Sequence, residues 1–200
     1  MSADVGDGLA PGVEAITAPP GASAAQAPTS APATARGYRV TALVVASALF
    51  MQQLDGTVLT VALPTMARDL GTPATSLSLA LTSYLLSLAL FIPASGTLAD
   101  RFGSRTIFCG AIGVFLIGSI ACAQADSLAM LVAARFVQGI GGAMMVPVGR
   151  LVLLRSVAKE DMVQALSWLV MPALAGPILG PPLGGLIVTT LDWRWIFYLN

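Results

Sequence analysis

The chain contains no histidine and very little charge of either sign. Of its 200 residues, ten are Lys or Arg and ten are Asp or Glu, so the formal net charge is zero. The absence of histidine excludes a histidine-based catalytic triad and the imidazole-rich metal centres of many enzymes. The charge balance leaves no basic surface for a nucleic-acid backbone. We therefore expect no enzyme, no metal site and no nucleic-acid partner.

Cysteine is also scarce, with only Cys109 and Cys122 in the sequence. The two lie thirteen residues apart on one predicted helix, which separates them by about 20 Å. That distance is far beyond the reach of a disulfide, so the two cysteines give no information about the redox compartment.

The first 35 residues lack Lys and Arg entirely and are rich in Ala, Pro, Gly, Ser and Thr. A secretory signal would begin with basic residues followed directly by an apolar core, and a mitochondrial presequence would be rich in arginine. Neither description fits. Because such a composition cannot bury a core, we predict that residues 1–37 form a disordered cytoplasmic tail.

Apolar sequence is what the chain has in abundance. Hydrophobic residues make up 56% of it and charged residues 10%, whereas soluble domains average about 25% charged residues. The mean hydropathy is +0.83. This composition indicates an all-α, polytopic helical membrane protein, with residues 38–200 as its transmembrane bundle. Five segments approach the ~20 apolar residues that cross a bilayer, and a sixth begins at about residue 193; the five are about 39–61, 76–98, 106–125, 128–149 and 164–190.

Basic residues are distributed unevenly between the two sides of the predicted bundle. The N-terminal tail and the second and fourth connections carry seven of them, and the opposite side carries two, Arg68 and Arg194. The seven are Arg36, Arg39, Arg101, Arg105, Arg150, Arg155 and Lys159. By the positive-inside rule we expect a multi-pass protein of the plasma (inner) membrane with its N-terminus in the cytoplasm.

Two charged residues fall inside predicted spans. Asp55 lies sixteen residues into the first span and Arg135 seven into the fourth, which run in opposite directions and so bring the two residues to similar depth. Gln52 shares a helix face with Asp55, and Gln138 shares one with Arg135. Charged groups in a membrane face the bundle interior or a cavity, so we expect these polar faces to meet.

The pairing of a carboxylate with an arginine in a low dielectric has a functional and a structural interpretation. Burial favours a neutral acid and a guanidinium favours an ionised one, so such a group can exchange a proton for a cationic substrate. Alternatively, Asp55 only caps or anchors its helix, and Arg135 only ties helices together through carbonyl groups.

A charged, glycine-framed segment separates the second span from the third. Residues 96–105 read Gly-Thr-Leu-Ala-Asp-Arg-Phe-Gly-Ser-Arg. Charge at this position is costly unless it has a use, so we predict a tight cytoplasmic loop that acts as a hinge or gate. The candidate residues are Gly96, Asp100, Arg101, Gly103 and Arg105.

The fifth span interleaves glycine with proline. Gly176, Gly180 and Gly184 recur every four residues and so form one stripe that allows close approach of another helix. Each proline removes an amide donor, which predicts a bent or locally stiffened helix. The candidate motif consists of Gly176, Pro177, Gly180, Pro181, Gly184 and Gly185.

These segments together resemble the N-terminal part of a major facilitator superfamily transporter, and most closely the fourteen-span drug:proton antiporters. Residues 54–64 are similar to the first-helix signature of that family, and residues 96–105 to the loop between the second and third helices. Residues 135–142 resemble the fourth-helix motif, residues 176–185 the antiporter motif of the fifth helix, and residues 193–197 the entry to the sixth. The fold implied is the first five spans and the start of the sixth of the N-terminal six-helix bundle.

The resemblance implies alternating access driven by the proton gradient, with no other cofactor. Asp55 would be the proton and substrate carboxylate, and Arg135 a proton-relay partner. Asp100 and Arg105 would latch the cytoplasmic gate, where Ser104 stands at a commonly basic position. The fifth-helix glycines and prolines would limit leak. The implied partners are a small lipophilic or cationic substrate, protons and the lipid bilayer.

Length leaves two further readings open. Alternating access needs two bundles moving around a central site, and the sequence ends at Asn200 after five spans and the start of a sixth. We expect either the N-terminal portion of a larger transporter or a truncated, non-transporting membrane product. A facilitator or symporter of metabolites is the second transporter class, and both Asp55 and the fifth-helix motif argue against it.

Overall fold

The computed structural model describes residues 35–157 and 161–200, and within these ranges the chain is helical with no β-strand. The helices are α1 (Ala35–Asp69), α2 (Ala74–Phe102), α3 (Ser104–Ala123), α4 (Leu128–Ser156), α5 (Met162–Thr190) and α6 (Trp195–Tyr198). Helices α1 to α5 are each long and apolar enough to cross a membrane. The prediction of an all-α, polytopic membrane protein is therefore confirmed. Of the predicted tail, residues 1–34 lie outside the described residues.

Local sequence explains where several helices begin and end. The Ser127 side chain accepts a hydrogen bond from the Met130 backbone amide at 3.3 Å and so caps the start of α4. Pro73 precedes the first residue of α2, and a proline at that boundary has no amide to leave unsatisfied. Both features fix the residue at which the helix begins.

The connection between α2 and α3 corrects the prediction of a loop over residues 96–105. Helix α2 continues to Phe102 and α3 begins at Ser104, so Gly103 is the single residue between them. Its φ of +87° is in the left-handed region that favours glycine. Gly96, Asp100 and Arg101 are thus helical residues of α2, and Arg105 belongs to α3.

The helices of the bundle associate through two main sets of contacts. Helix α4 packs along both α2 and α3, and α1 packs along α5. Small residues allow the close approach: a Cβ added to Gly141 of α4 would lie 2.6 Å from the Ala111 carbonyl oxygen of α3. A Cβ at Gly139 would lie 2.8 Å from the Tyr84 carbonyl oxygen of α2. Glycine is therefore required at both crossings.

Two apolar clusters divide the bundle along its length. One includes Leu59 and Met66 of α1 with Phe197 of α6, towards the C-terminal end of α1. The other includes Val45 of α1 and Phe108 of α3, towards the opposite end. The buried polar side chains of α1 and α4 lie along these helices between the two clusters. The core thus positions one polar layer inside the membrane-spanning part of the fold.

Candidate functional site

Asp55 and Arg135 meet in the interior of the bundle. Arg135 Nη1 donates to Asp55 Oδ2 at 2.5 Å, and neither side chain has any exposed surface. Among the described residues they are the only charged side chains that are fully buried. The sequence predicts that these two side chains meet across the bundle, and in the structure they are in direct contact. Their roles in transport stay a prediction.

Gln138 completes the contact between α1 and α4. Its Oε1 accepts from Arg135 Nη1 at 2.7 Å, and its Nε2 donates to Asp55 Oδ1 at 3.1 Å. Both ends of the amide are thereby fixed, one by a cation and the other by an anion. The three side chains form a closed network in which each carboxylate oxygen accepts at least one hydrogen bond.

Aromatic rings enclose the guanidinium from two sides. Arg135 Cζ lies 5.2 Å from the centre of the Tyr84 ring and 5.3 Å from that of Phe197. Such cation–π contacts stabilise a guanidinium that has been removed from water. The sequence indicated Arg135 as the buried cation, but it gave no signal that α2 and α6 would supply rings to it.

A second amide reaches Asp55 from just after α6. Asn200 Nδ2 donates to Asp55 Oδ1 at 3.1 Å and to Ser119 Oγ of α3 at 2.8 Å. The Ser119 hydroxyl donates in turn to the carbonyl oxygen of Phe197 in α6, at 2.8 Å. The carboxylate is therefore linked to α3 and α6 as well as to α4. Sequence reasoning missed both Asn200 and Ser119.

Gln52 lies one turn from Asp55 on α1 and faces α2 and α4. Its Nε2 donates to the Gly142 carbonyl oxygen at 3.2 Å and to the Tyr84 hydroxyl at 3.4 Å. A Cβ added to Gly142 would lie 2.9 Å from that hydroxyl, so only glycine leaves room for the contact. Gln52 therefore extends the polar layer without touching Asp55 itself.

Several buried polar atoms of this layer have no hydrogen-bond partner within the described part of the chain. They are Arg135 Nε and Nη2, Gln52 Oε1 and Ser87 Oγ. Unsatisfied buried groups are costly, by about 1–3 kcal/mol each. A layer with both free donors and a free acceptor can hold water or a polar part of a ligand.

The glycine stripe of α5 packs on α1 next to the polar layer. Added Cβ atoms would lie 2.6 Å from Gln53 Cβ at Gly176, 2.6 Å from Thr57 Cβ at Gly180, and 3.1 Å from Val58 Cγ1 at Gly184. Gly185 has open space around it and is outside the stripe. Helix α5 runs through Pro177 and Pro181 without interruption, and both prolines face away from the bundle.

The α2–α3 end of the bundle carries an exposed ion pair. Asp100 accepts from Arg155 Nη2 of α4 at 3.1 Å, and Arg155 Nη1 donates to Ser104 Oγ at 3.5 Å. Arg105, which the sequence suggested as part of the latch with Asp100, lies exposed beside a cavity of about 170 Å³. Arg101 is also exposed and stacks on the ring of Phe102. Arg155 was missed as a partner of Asp100.

The opposite end of the bundle is closed by Arg194. Its guanidinium lies within 4 Å of the carboxylates of Asp69, Asp126 and Asp192. Trp193 Nε1 donates to Asp69 Oδ2 at 2.9 Å. These contacts join the ends of α1, α3 and α5 at one face of the bundle, far along the helices from the Asp100 pair.

Comparison with known proteins finds a matching family model and several similar relatives. A sequence model described as "Major Facilitator Superfamily" matches residues 45–200. A protein of Cronobacter sakazakii named "Putative multidrug resistance protein MdtD" is 49% identical over 157 residues, which cover 78% of this chain and 33% of that protein. "Probable transport protein HsrA" of Haemophilus influenzae is 47% identical over 163 residues, 82% of this chain and 35% of that protein. The chain spans about a third of the length of the curated relatives it matches.

Proposed function

Since this chain belongs to the Major Facilitator Superfamily, we propose that it forms the N-terminal portion of a proton-coupled antiporter that exports small lipophilic or cationic compounds. The relatives named for multidrug resistance support export of such compounds. The proposed location is the plasma (inner) membrane. The uneven distribution of Lys and Arg supports a cytoplasmic N-terminus. The proton gradient is the proposed energy source.

The observation that carries the proposal is the fully buried Asp55–Arg135 pair. An ion pair inside a membrane bundle is expensive to maintain and in most cases serves a function. A proton on Asp55 would neutralise the carboxylate and weaken its attraction for Arg135, and a cationic substrate would compete with that proton for the same charge. Competition of this kind, combined with alternating access of the site to the two sides of the membrane, would exchange protons against cations.

The other motifs have supporting roles in this proposal. Gln138 holds Asp55 and Arg135 in register through its two hydrogen bonds. The α5 glycines keep α1 and α5 in close contact, so that the half-transporter moves as one body. The exposed Asp100 pair with Arg155 would break and re-form as the cytoplasmic side opens and closes.

The decisive test replaces Asp55 with asparagine in the complete transporter. Asp55→Asn keeps the shape of the side chain and removes the titratable charge, so we expect proton-driven extrusion of a cationic dye to be abolished while membrane insertion is retained. The matched control is Asp126→Asn, because Asp126 is 91% exposed. Dye extrusion at the parental rate in Asp55→Asn would remove Asp55 from the mechanism and with it the proposal.

A further inference from the structure

We propose that Asn200 is a positioning residue that transmits the protonation state of Asp55 to α3 and α6. The inference rests on the proposed function and adds to it the step between proton binding and helix movement. Its basis is the pair of hydrogen bonds from Asn200 Nδ2, one to Asp55 Oδ1 at 3.1 Å and one to Ser119 Oγ at 2.8 Å.

Asp55 in its ionised form has donors at both oxygens. Oδ2 accepts from Arg135, and Oδ1 accepts from the side-chain amides of Gln138 and Asn200. Transfer of a proton from a hydronium ion in solvent to Oδ1 breaks one O–H bond in the hydronium, leaves water and forms an O–H bond at Oδ1, so this acceptor becomes a donor. The new O–H then faces two N–H groups, so at least one neighbour has to present an acceptor instead.

Of the three partners, only Asn200 can make that change in place. Arginine has no acceptor to offer. The Gln138 amide is held by the guanidinium, because Oε1 accepts from Arg135 Nη1 at 2.7 Å and a rotated amide would point N–H groups at a cation. Within the described ranges, Asn200 is held only by Asp55 and by a hydroxyl, and a hydroxyl can donate as readily as it accepts.

Rotation of the Asn200 amide by half a turn has a defined consequence at Ser119. Asn200 Oδ1 would accept from the protonated Asp55 and from the Ser119 hydroxyl. That hydroxyl now donates to the Phe197 carbonyl oxygen at 2.8 Å, and it cannot serve both acceptors with one proton. The Phe197 carbonyl of α6 is therefore released when Asp55 is protonated, and Phe197 also covers the Arg135 guanidinium.

The ionisable groups near Asp55 in the described residues do not offer another candidate for this role. Arg135 of α4 contacts it directly, Tyr84 of α2 stacks on Arg135, and Cys122 of α3 reaches it only through Gln138, with Sγ 3.7 Å from Oε1. Helix α5 contains no ionisable residue. Neither Tyr84 nor Cys122 hydrogen-bonds to the Asp55 carboxylate. Neither side chain can therefore respond to its protonation by changing from a donor to an acceptor.

The test compares uphill and downhill transport in the complete transporter reconstituted into proteoliposomes, with a cationic dye as the probe. In Asn200→Leu, which has similar volume and no amide, we expect proton-driven dye extrusion to fall about tenfold, the loss of one hydrogen bond to a charged group. Dye exchange without a pH gradient should fall less than proton-driven extrusion does, because the contact between Asp55 and Arg135 does not involve Asn200. A merely structural role would lower both rates in the same proportion and would overturn the inference.

Ser119→Ala provides a second variant that breaks the same chain of bonds with a smaller change. We expect a loss of about threefold in proton-driven extrusion, as for a neutral hydrogen bond, with a smaller loss in exchange. In an Asp55→Asn background neither substitution should alter dye exchange further, since there is no proton to detect. If Asp55→Asn is inactive in extrusion while Asn200→Leu and Ser119→Ala match the parent, the proposed function stands and the role of Asn200 is refuted. If Asp55→Asn itself extrudes dye normally, the proposed function fails first.

Discussion

Two carboxylate–arginine pairs of this bundle have the same chemistry in opposite surroundings. Asp55 and Arg135 are in contact at 2.5 Å with no exposed surface, whereas Asp100 and Arg155 are 3.1 Å apart with side chains 72% and 51% exposed. The buried pair has further partners on α2, α4 and α6. The exposed pair has one additional contact, from Arg155 to Ser104.

Burial changes what an ion pair contributes to the stability of the fold. An exposed ion pair is screened by water and adds about 0–1 kcal/mol to stability. A buried pair pays for desolvation before it gains anything, and apolar residues of similar size are often as stable or more stable. The exposed pair can therefore form and break cheaply during a movement. The buried pair is explained by its chemistry rather than by the stability of the fold.

The largest expected effect comes from removing one member of the buried pair. Arg135→Leu would leave the buried Asp55 carboxylate without its cation, and we expect the free energy of unfolding to fall by about 3–5 kcal/mol. Thermal unfolding of the detergent-solubilised transporter measures this loss. The double variant Asp55→Leu with Arg135→Leu should regain most of that stability and still fail to transport. A double variant as unstable as the single one would mean that the pair holds the fold together.

A second prediction concerns close helix contact next to the buried pair. Gly180→Leu would force a side chain into Thr57 and wedge α5 away from α1, at a cost of about 1–3 kcal/mol for overpacking. We expect reduced expression or reduced transport. Gly110→Leu is the matched control, because Gly110 is an exposed helical glycine with nothing within 4 Å of an added Cβ. Normal levels and kinetics in Gly180→Leu would show that the stripe is incidental.

The buried site could be predicted in part because charge inside an apolar segment is rare. Asp55 and Arg135 stood out against their own helices, and the repeat of 3.6 residues per turn placed Gln52 and Gln138 on the same faces. Asn200 and Ser119 carried no such signal. One is a single polar residue after a short aromatic segment, and the other is a serine among many in apolar helices, so only the three-dimensional contacts bring them to Asp55.

The exposed end was harder to predict for a different reason. Charges near Gly103 indicated a break between two helices, and the sequence suggested a loop of several residues. A single glycine with positive φ is enough for this connection, and the residues on either side of it remain helical. Sequence proximity then suggested Arg105 as the partner of Asp100. Arg155 lies 55 residues away along the chain, and surface pairs depend on how helices pack, which local sequence does not determine.

The smallest expected effect concerns which arginine forms the ion pair with Asp100. In the structure the partner is Arg155, so a double-mutant cycle of Asp100→Asn with Arg155→Ala should give a coupling of about 0.2–1 kcal/mol in thermal stability. The matched cycle with Arg105→Ala should give none. Coupling to Arg105 in place of Arg155 would restore the partner expected from sequence alone. Because an exposed pair is screened by salt, the Arg155 coupling should also weaken at high ionic strength, whereas the destabilisation by Arg135→Leu should not.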